Sequence, residues 1–201
     1  MRAVCIIPAR AGSIRIPGKN CKEFHGSPII CYSINTAFLS GLFDMGVYVS
    51  TEDSVTANVA WSLGASVHVR RPALAENAVG TQAVMAAALK ELFPDERNRP
   101  EAACCLYATS PLLTVGDLRR GWASYLSGIA AYAHSVGPDG QDAGNFYFGH
   151  TENFIAGLPL EGNSLPVSLP AERVQDINSL DDWIKAEHMY AALHKPKEET
   201  T

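Results

Sequence analysis

Apolar residues recur along this chain in short unbroken runs that alternate with longer stretches of helical spacing. "AVCIIP" (Ala3–Pro8) reads as a strand buried on both faces. From Ser27 to Ser40, Ile30, Ile34 and Phe38 fall on one helical face, and Gly41 ends the pattern. "GVYVST" (Gly46–Thr51) predicts a second strand. Ser54–Leu63 predicts a helix with Val55, Val59 and Leu63 aligned and Gly64 as its stop. "SVHVRR" (Ser66–Arg71) predicts a third strand, and Thr81–Phe93 a helix with Val84, Ala88 and Leu92 in line. "AACCLYA" (Ala102–Ala108) reads as a central strand, followed by a helix across about Val115–Leu126 and a strand at Ile129–Val136. Past Gly137 the pattern loosens. "DAGNFYFG" and "SLPVSLP" read as short strands, and "INSLDDWIKAEHMYAAL" as a closing helix with Trp183, Ala186, Tyr190 and Leu193 on one side. Trp61 and Trp122 fall in helices and are expected in the core or an interface. No internal repeat is visible, and the tail "KPKEET" reads as frayed.

Strands separated by helix-length segments mean βαβ units and a mainly parallel sheet. The expected fold is therefore α/β, a three-layer αβα Rossmann-like arrangement, with residues 1–201 as one domain. Ligands of such sheets bind beyond the carboxyl ends of the strands. Four segments should gather there: the loop after Pro8, "STED" after the second strand, Arg70–Arg71 after the third, and "ATSP" after the fourth.

Composition sharpens this picture in two places. A content of 47% hydrophobic and 18% charged residues is that of a globular chain, and a net charge of −5 argues against a broad nucleic-acid or anionic-membrane surface. Yet no acid precedes Glu23, while Arg2, Arg10, Arg15, Lys19 and Lys22 all do. That asymmetry fits a local anion site. Five cysteines without a C-x-x-C motif, placed within apolar runs, suit packed, reduced thiols and a cytoplasmic protein. Cys104 and Cys105, being adjacent in a strand, should face opposite ways. The opening apolar run is too short for a signal peptide, and no stretch is long enough to span a bilayer.

The candidate chemistry sits in "IIPARAGSIRIPGKN" (Ile6–Asn20). It is not a Walker motif: five residues separate Gly12 from Gly18, and Asn20 stands where Ser or Thr would be needed. The loop offers Gly12 for close backbone approach, Ser13 as a hydroxyl donor, and Arg10, Arg15 and Lys19 as charge. Arginine forks match phosphate oxygens, Pro17 limits the loop's freedom, and the position after the first strand favours phosphate over a solvated turn.

This stretch resembles the signature of cytidylyltransferases that activate acidic sugars, such as CMP-sialic acid synthetases. "STEDS", "RRPALAEN", "YATSPLL", "DAGNFYFG" and "RVQDINSLDDW" follow in that family's order, covering nearly the whole chain. "YATSP" and "DAGNFYFG" resemble the pseudaminic acid branch, Tyr107 standing where sialic acid enzymes usually carry Gln. The resemblance implies that Arg10, Ser13, Lys19 and Asn20 hold the phosphates and ribose of CTP. It places Arg71 and the Ala78–Thr81 turn near cytosine, and turns Tyr107, Thr109, Ser110, Asn145 and Tyr147 to the sugar. Asp176 would be a Mg2+ ligand. Ile14 departs from the family, which commonly has lysine there; Arg15 can partly compensate. The implied reaction is attack of the anomeric hydroxyl of a nonulosonic acid on the α-phosphorus of CTP, pyrophosphate leaving in line, with Arg10, Lys19 and Asp176 carrying the catalysis by positioning and charge neutralisation. Rival readings are the same transfer to sialic acid, legionaminic acid or 3-deoxy-manno-octulosonate, and a non-catalytic CTP-binding relative.

"QDINSLDDW" holds two functions in one stretch. Ser179 and Asp182 have capping-box spacing for the last helix. Asp176 and Asn178, two residues apart in an extended segment, face the same side, and paired oxygens beside a triphosphate suit magnesium. The family normally has a second Asp at Asn178, so the amide brings an oxygen without charge. Asp53 reads as a cap of the following helix. The six histidines have no metal spacing, and His68 and His134 read as structural. Of Arg70 and Arg71 one must face the ligand edge, and the resemblance favours Arg71. The family's subunit-pairing arm, a few tens of residues before "DAG-FY", is replaced here by the five residues 137–141, which puts the usual homodimer in doubt.

Overall fold

A computed structural model describes residues 1–76 and 79–195. Ala78 and nearly all of the tail expected to fray therefore lie outside the described residues. The chain runs β1 (Ala3–Pro8), β2 (Glu23–Phe24), β3 (Ser27–Pro28), α1 (Ile30–Ser40), β4 (Val47–Thr51) and α2 (Ser54–Ser62). It continues through β5 (Ser66–Val69), α3 (Thr81–Leu92), β6 (Ala102–Leu106), α4 (Val115–Leu126) and β7 (Tyr132–Val136). β8 (Asp142–His150), α5 (Thr151–Ala156), β9 (Ser164–Ser168) and α6 (Leu180–Leu193) complete it. Seven strands form one sheet in the order β5-β4-β1-β6-β8-β7-β9. β1 is central, Cys5 pairing with Val47 on one side and Cys104 on the other. Within this sheet every pairing is parallel except the two made by β8, which runs against β6 and β7. The fold is the expected three-layer α/β arrangement with a mainly parallel sheet.

Alternation along the strands splits the core in two. Ala3, Cys5, Ile7 and Cys104 face α1 and α4, while Val4, Ile6 and Cys105 face Met85, Ala88 and Leu89 of α3. The adjacent cysteines thus point apart, and all five thiols are free. α4 lies close on the sheet because Gly121 has no Cβ; one built there would stand 2.4 Å from the Phe146 ring.

Several elements depart from the sequence pattern. The first helix begins at Ile30, because Ser27–Pro28 pairs with Glu23–Phe24 in a small hairpin turned by His25 and Gly26, both at positive φ. In α2 the buried residues are Thr56, Ala57 and Ala60, while Val55 is 57% exposed. The cap sets that rotation: Asp53 accepts from the Val55 and Thr56 amides and from the Thr56 hydroxyl, drawing Thr56 inward. Trp61 is exposed, whereas Trp122 packs on the core beside Phe148. "DAGNFYFG" lies in a nine-residue strand inside the sheet, longer than the short strand expected.

A third apolar cluster joins the two ends of the chain. Ile16 from the basic loop, Phe24 and Ile29 pack with Ile177, Trp183 and Ala186, and Tyr32 and Tyr190 lean against them. Burial of these side chains is worth about 1.5–3 kcal/mol each. It brings the residues flanking Ile16 up to those flanking Ile177.

Candidate functional site

The basic loop crosses the carboxyl end of the sheet and, with the ends of β5 and β6, walls a cleft of about 450 Å³. From the loop, Arg10, Ser13, Ile14, Arg15, Lys19 and Asn20 line it. Thr81, Tyr107 and Thr109 form the far wall, and Asn178 reaches in from the C-terminal segment. The loop is internally braced. Asn20 is buried and donates from Nδ2 to the Arg10 carbonyl at 3.0 Å, tying one end of the loop to the other. Gly18, at φ 63°, supplies the left-handed turn before Lys19. Gly12 has open space around a Cβ position and no positive φ, so nothing among the described residues demands glycine there.

The cations meet the C-terminal segment directly. Lys19 Nζ donates to the Ile177 carbonyl at 2.7 Å, and an Arg15 guanidinium nitrogen donates to Asn178 Oδ1 at 3.1 Å. Asn178 Nδ2 donates to the Asp176 carboxylate. Burial lowers the pKa of Lys19; Asp176 pulls it back up, and Arg15 and Arg10 push it further down. Ser179 and Asp182 make the expected capping box, in which the Asp182 carboxylate also accepts from the Asn178 amide. The cap therefore fixes the backbone on which Asp176 and Asn178 sit.

On the opposite wall, Tyr107 shares a 3.0 Å hydrogen bond with Thr81 and packs edge-on against Tyr147. Burial pushes the Tyr107 phenol up to about 12. Tyr147 donates to Asp142 and stacks on His134. Its pKa is raised, first by burial and then by Tyr107 and Asp142. Ser110 and Asn145 are buried, each with a side-chain atom lacking a hydrogen-bond partner (Ser110 Oγ and Asn145 Nδ2). Gly12, Ser110, Asn145, Tyr147 and Asp176 do not themselves line the cleft.

The arginine pair is arranged differently from the expectation. Arg70 is 3% exposed and lines the cleft, while Arg71 is turned away into an ion pair with Glu91 at 2.8 Å. A signal for this was present. Alternation puts Arg70 on the side of His68, and His68 is buried. Sequence reasoning also missed the residues behind Arg70, namely Ser50, His68 and Glu91, because their contact crosses three elements.

A CMP:2-keto-3-deoxy-manno-octonic acid synthetase complexed with CTP shares the fold at a TM-score of 0.70, with 16% identity over 96% of this chain and 100% of that one. The profile described as cytidylyltransferase matches residues 4–144. A pseudaminic acid cytidylyltransferase of Campylobacter jejuni subsp. jejuni serotype O:2 is 31% identical over 235 aligned positions, covering 97% of this chain and 99% of that protein. An N-acylneuraminate cytidylyltransferase of Streptococcus agalactiae serotype V is 35% identical over 123 positions, covering 61% of this chain and 27% of that protein. The chain belongs to the cytidylyltransferase family. Among the described residues no helix is long and apolar enough to cross a membrane, and no cluster of three or more His, Cys, Asp or Glu side chains is poised to hold a metal.

Proposed function

We propose that this protein transfers the cytidylyl group of CTP to a nonulosonic acid, pseudaminic acid in the first instance, releasing pyrophosphate. The observation that carries this reading is the convergence of Arg10, Arg15 and Lys19 with the Asp176–Asn178 segment at one cleft. Arg10, Ser13, Arg15, Lys19 and Asn20 hold the triphosphate. Thr81, Tyr107 and Thr109 face the sugar or base, with Tyr147 packed against Tyr107. The sugar's anomeric hydroxyl attacks the α-phosphorus, its proton passing to water as the new P–O bond forms and the bond to pyrophosphate cleaves. Arg10 and Lys19 neutralise charge on the α-phosphate and on the leaving group, through charge-assisted bonds about twice as strong as neutral ones.

Asp176 and Asn178 fit Mg2+, which takes one or two protein oxygens and completes its shell with phosphate and water. Their side chains already touch, and a cation replacing that hydrogen bond finds a carboxylate and an amide oxygen. Bound there, the ion supplies charge neutralisation to the phosphates.

Residues 1–201 act as a single domain without the family's arm. β7 turns into β8 across residues 137–141, closed by Gly137 N to Gln141 O at 2.8 Å. The alignment with the Campylobacter protein extends over 235 positions against 201 residues here, so that relative carries residues this chain lacks. A chain without the arm loses the usual means of pairing into a homodimer.

The N-acylneuraminate relative favours a second reading, the same transfer to another acidic sugar. A pyrophosphate-release assay with CTP, Mg2+ and a panel of nonulosonic acids decides between them. Turnover with pseudaminic acid alone supports the first reading, turnover with a different sugar supports the second, and CTP binding without any turnover refutes both.

A further inference from the structure

Arg70 is a buried cation that makes no ion pair among the described residues. Its partners are neutral: one Nη donates to the Ser50 carbonyl at 2.8 Å, and Nε donates to Ser50 Oγ at 3.4 Å. Glu52, the acid that most supports its charge, is engaged by the Ala11 amide at 2.6 Å. A buried cation without an ion pair is costly even with Glu52 nearby, and burial lowers the pKa of this one. Arg70 lines the cleft, so an anionic ligand there would supply the missing countercharge.

The group is also aimed. Ser50 Oγ stands 2.9 Å from His68 Nδ1, and His68 Nε2 stands 2.9 Å from Glu91 Oε2. One arrangement of protons satisfies the whole chain. Arg70 Nε–H donates to Ser50, Ser50 O–H donates to His68 Nδ1, and His68 Nε2–H donates to the Glu91 carboxylate. Each link fixes the next, so the direction of the guanidinium is set three residues back. The other oxygen of Glu91 holds Arg71 outside the cleft.

We propose that Arg70, rather than Arg71, is the strand-edge arginine that binds the nucleotide. In this assignment Ser50, His68 and Glu91 are positioning residues that point Arg70 into the cleft and keep Arg71 out. The proposal rests on the cytidylyl-transfer reading above and adds a recognition group to the same site.

Calorimetric titration of CTP into the whole protein tests it, with thermal melts establishing that each variant is folded. Arg70→Ala should weaken CTP binding roughly tenfold, the loss of one or two charge-assisted bonds, and Arg71→Ala should change it less than twofold. Ser50→Ala removes one oxygen and keeps the packing, and His68→Ala cuts the next link. Each should weaken CTP severalfold in the wild-type background and have no further effect when Arg70 is already alanine. A purely structural role predicts equal losses in both backgrounds. Equal losses, or a larger loss from Arg71→Ala than from Arg70→Ala, would overturn the assignment. If Arg10→Ala abolishes CTP binding while Arg70→Ala leaves it intact, this inference fails and the functional reading stands. If the unmodified protein does not bind CTP, the functional reading itself fails.

Discussion

The two walls of the cleft hold their cations in opposite ways. On the loop wall, Arg15 and Lys19 rest against the C-terminal segment, donating to Asn178 and to the Ile177 carbonyl. These are contacts a triphosphate and a metal ion can replace. On the strand wall, Arg70 is buried against Ser50 and backed by His68 and Glu91, with its orientation set before any ligand arrives. The loop wall stores its charge in a provisional clasp, whereas the strand wall offers a pre-aimed group. The difference teaches that charge count alone does not describe an anion site. What matters is which protein contacts each cation must give up on binding, since every contact surrendered subtracts from the affinity gained.

Substitutions on the loop wall test its side of this contrast. Arg10→Ala should have the largest effect, a loss of roughly a hundredfold in CTP affinity, consistent with two charged hydrogen bonds. Titration calorimetry reads it, and unchanged affinity removes Arg10 from the site. Asp176→Ala should come next. Pyrophosphate release should fall at least about tenfold while CTP affinity changes by less, since the carboxylate acts mainly on phosphate charge during transfer. An unaffected rate would leave that segment with its capping role alone.

Lys19 gives a pH signature that Arg70 cannot. Burial sets its ammonium pKa below 10.5, so CTP affinity should decline as pH rises through that lowered value. Lys19→Arg should flatten the profile. Folding stability runs the other way. The folded state binds this proton less tightly than the unfolded chain, so the cost of burying the charge is full below the lowered pKa. It is relieved as pH climbs towards 10.5. Denaturant melts across alkaline pH, with Lys19→Met as the control, measure that opposite slope.

The smallest effect is expected at the helix cap. Ser179→Ala should cost about 1 kcal/mol of stability in urea melts, with a modest drop in turnover because the Asn178 amide shares the same cap. Turnover falling as far as in Asp176→Ala would show that the cap also fixes the Asp176 carboxylate.

Much of this was legible in the chain itself. Apolar runs alternating with helical spacing placed the strands and helices, and the basic loop stood out because no acid precedes Glu23. The capping residues Asp53, Ser179 and Asp182 were readable from their spacing, since caps depend on a few neighbouring residues. Other features resisted. Val55 looked like a core position, but Thr56, drawn down to Asp53, set a different face for α2. The place of β8 inside the sheet and its reversed direction were not readable, because an apolar run states burial and not strand order or direction. The choice between Arg70 and Arg71 turned on strand parity, which is decisive only once His68 is known to be buried.

What the sequence determined by itself is local: which residues are strand or helix, where helices are capped, and that one short loop carries concentrated positive charge. Those properties follow from backbone propensity, periodicity and neighbours within a turn or two. Tertiary structure decided the rest. Ile16 and Ile177 are 161 positions apart, and only their shared burial with Phe24 and Trp183 sets Arg15 and Lys19 against Asp176 and Asn178. Hydrophobic burial favours removing those side chains from water without specifying a partner, so the meeting of loop and tail emerges only when the whole chain packs.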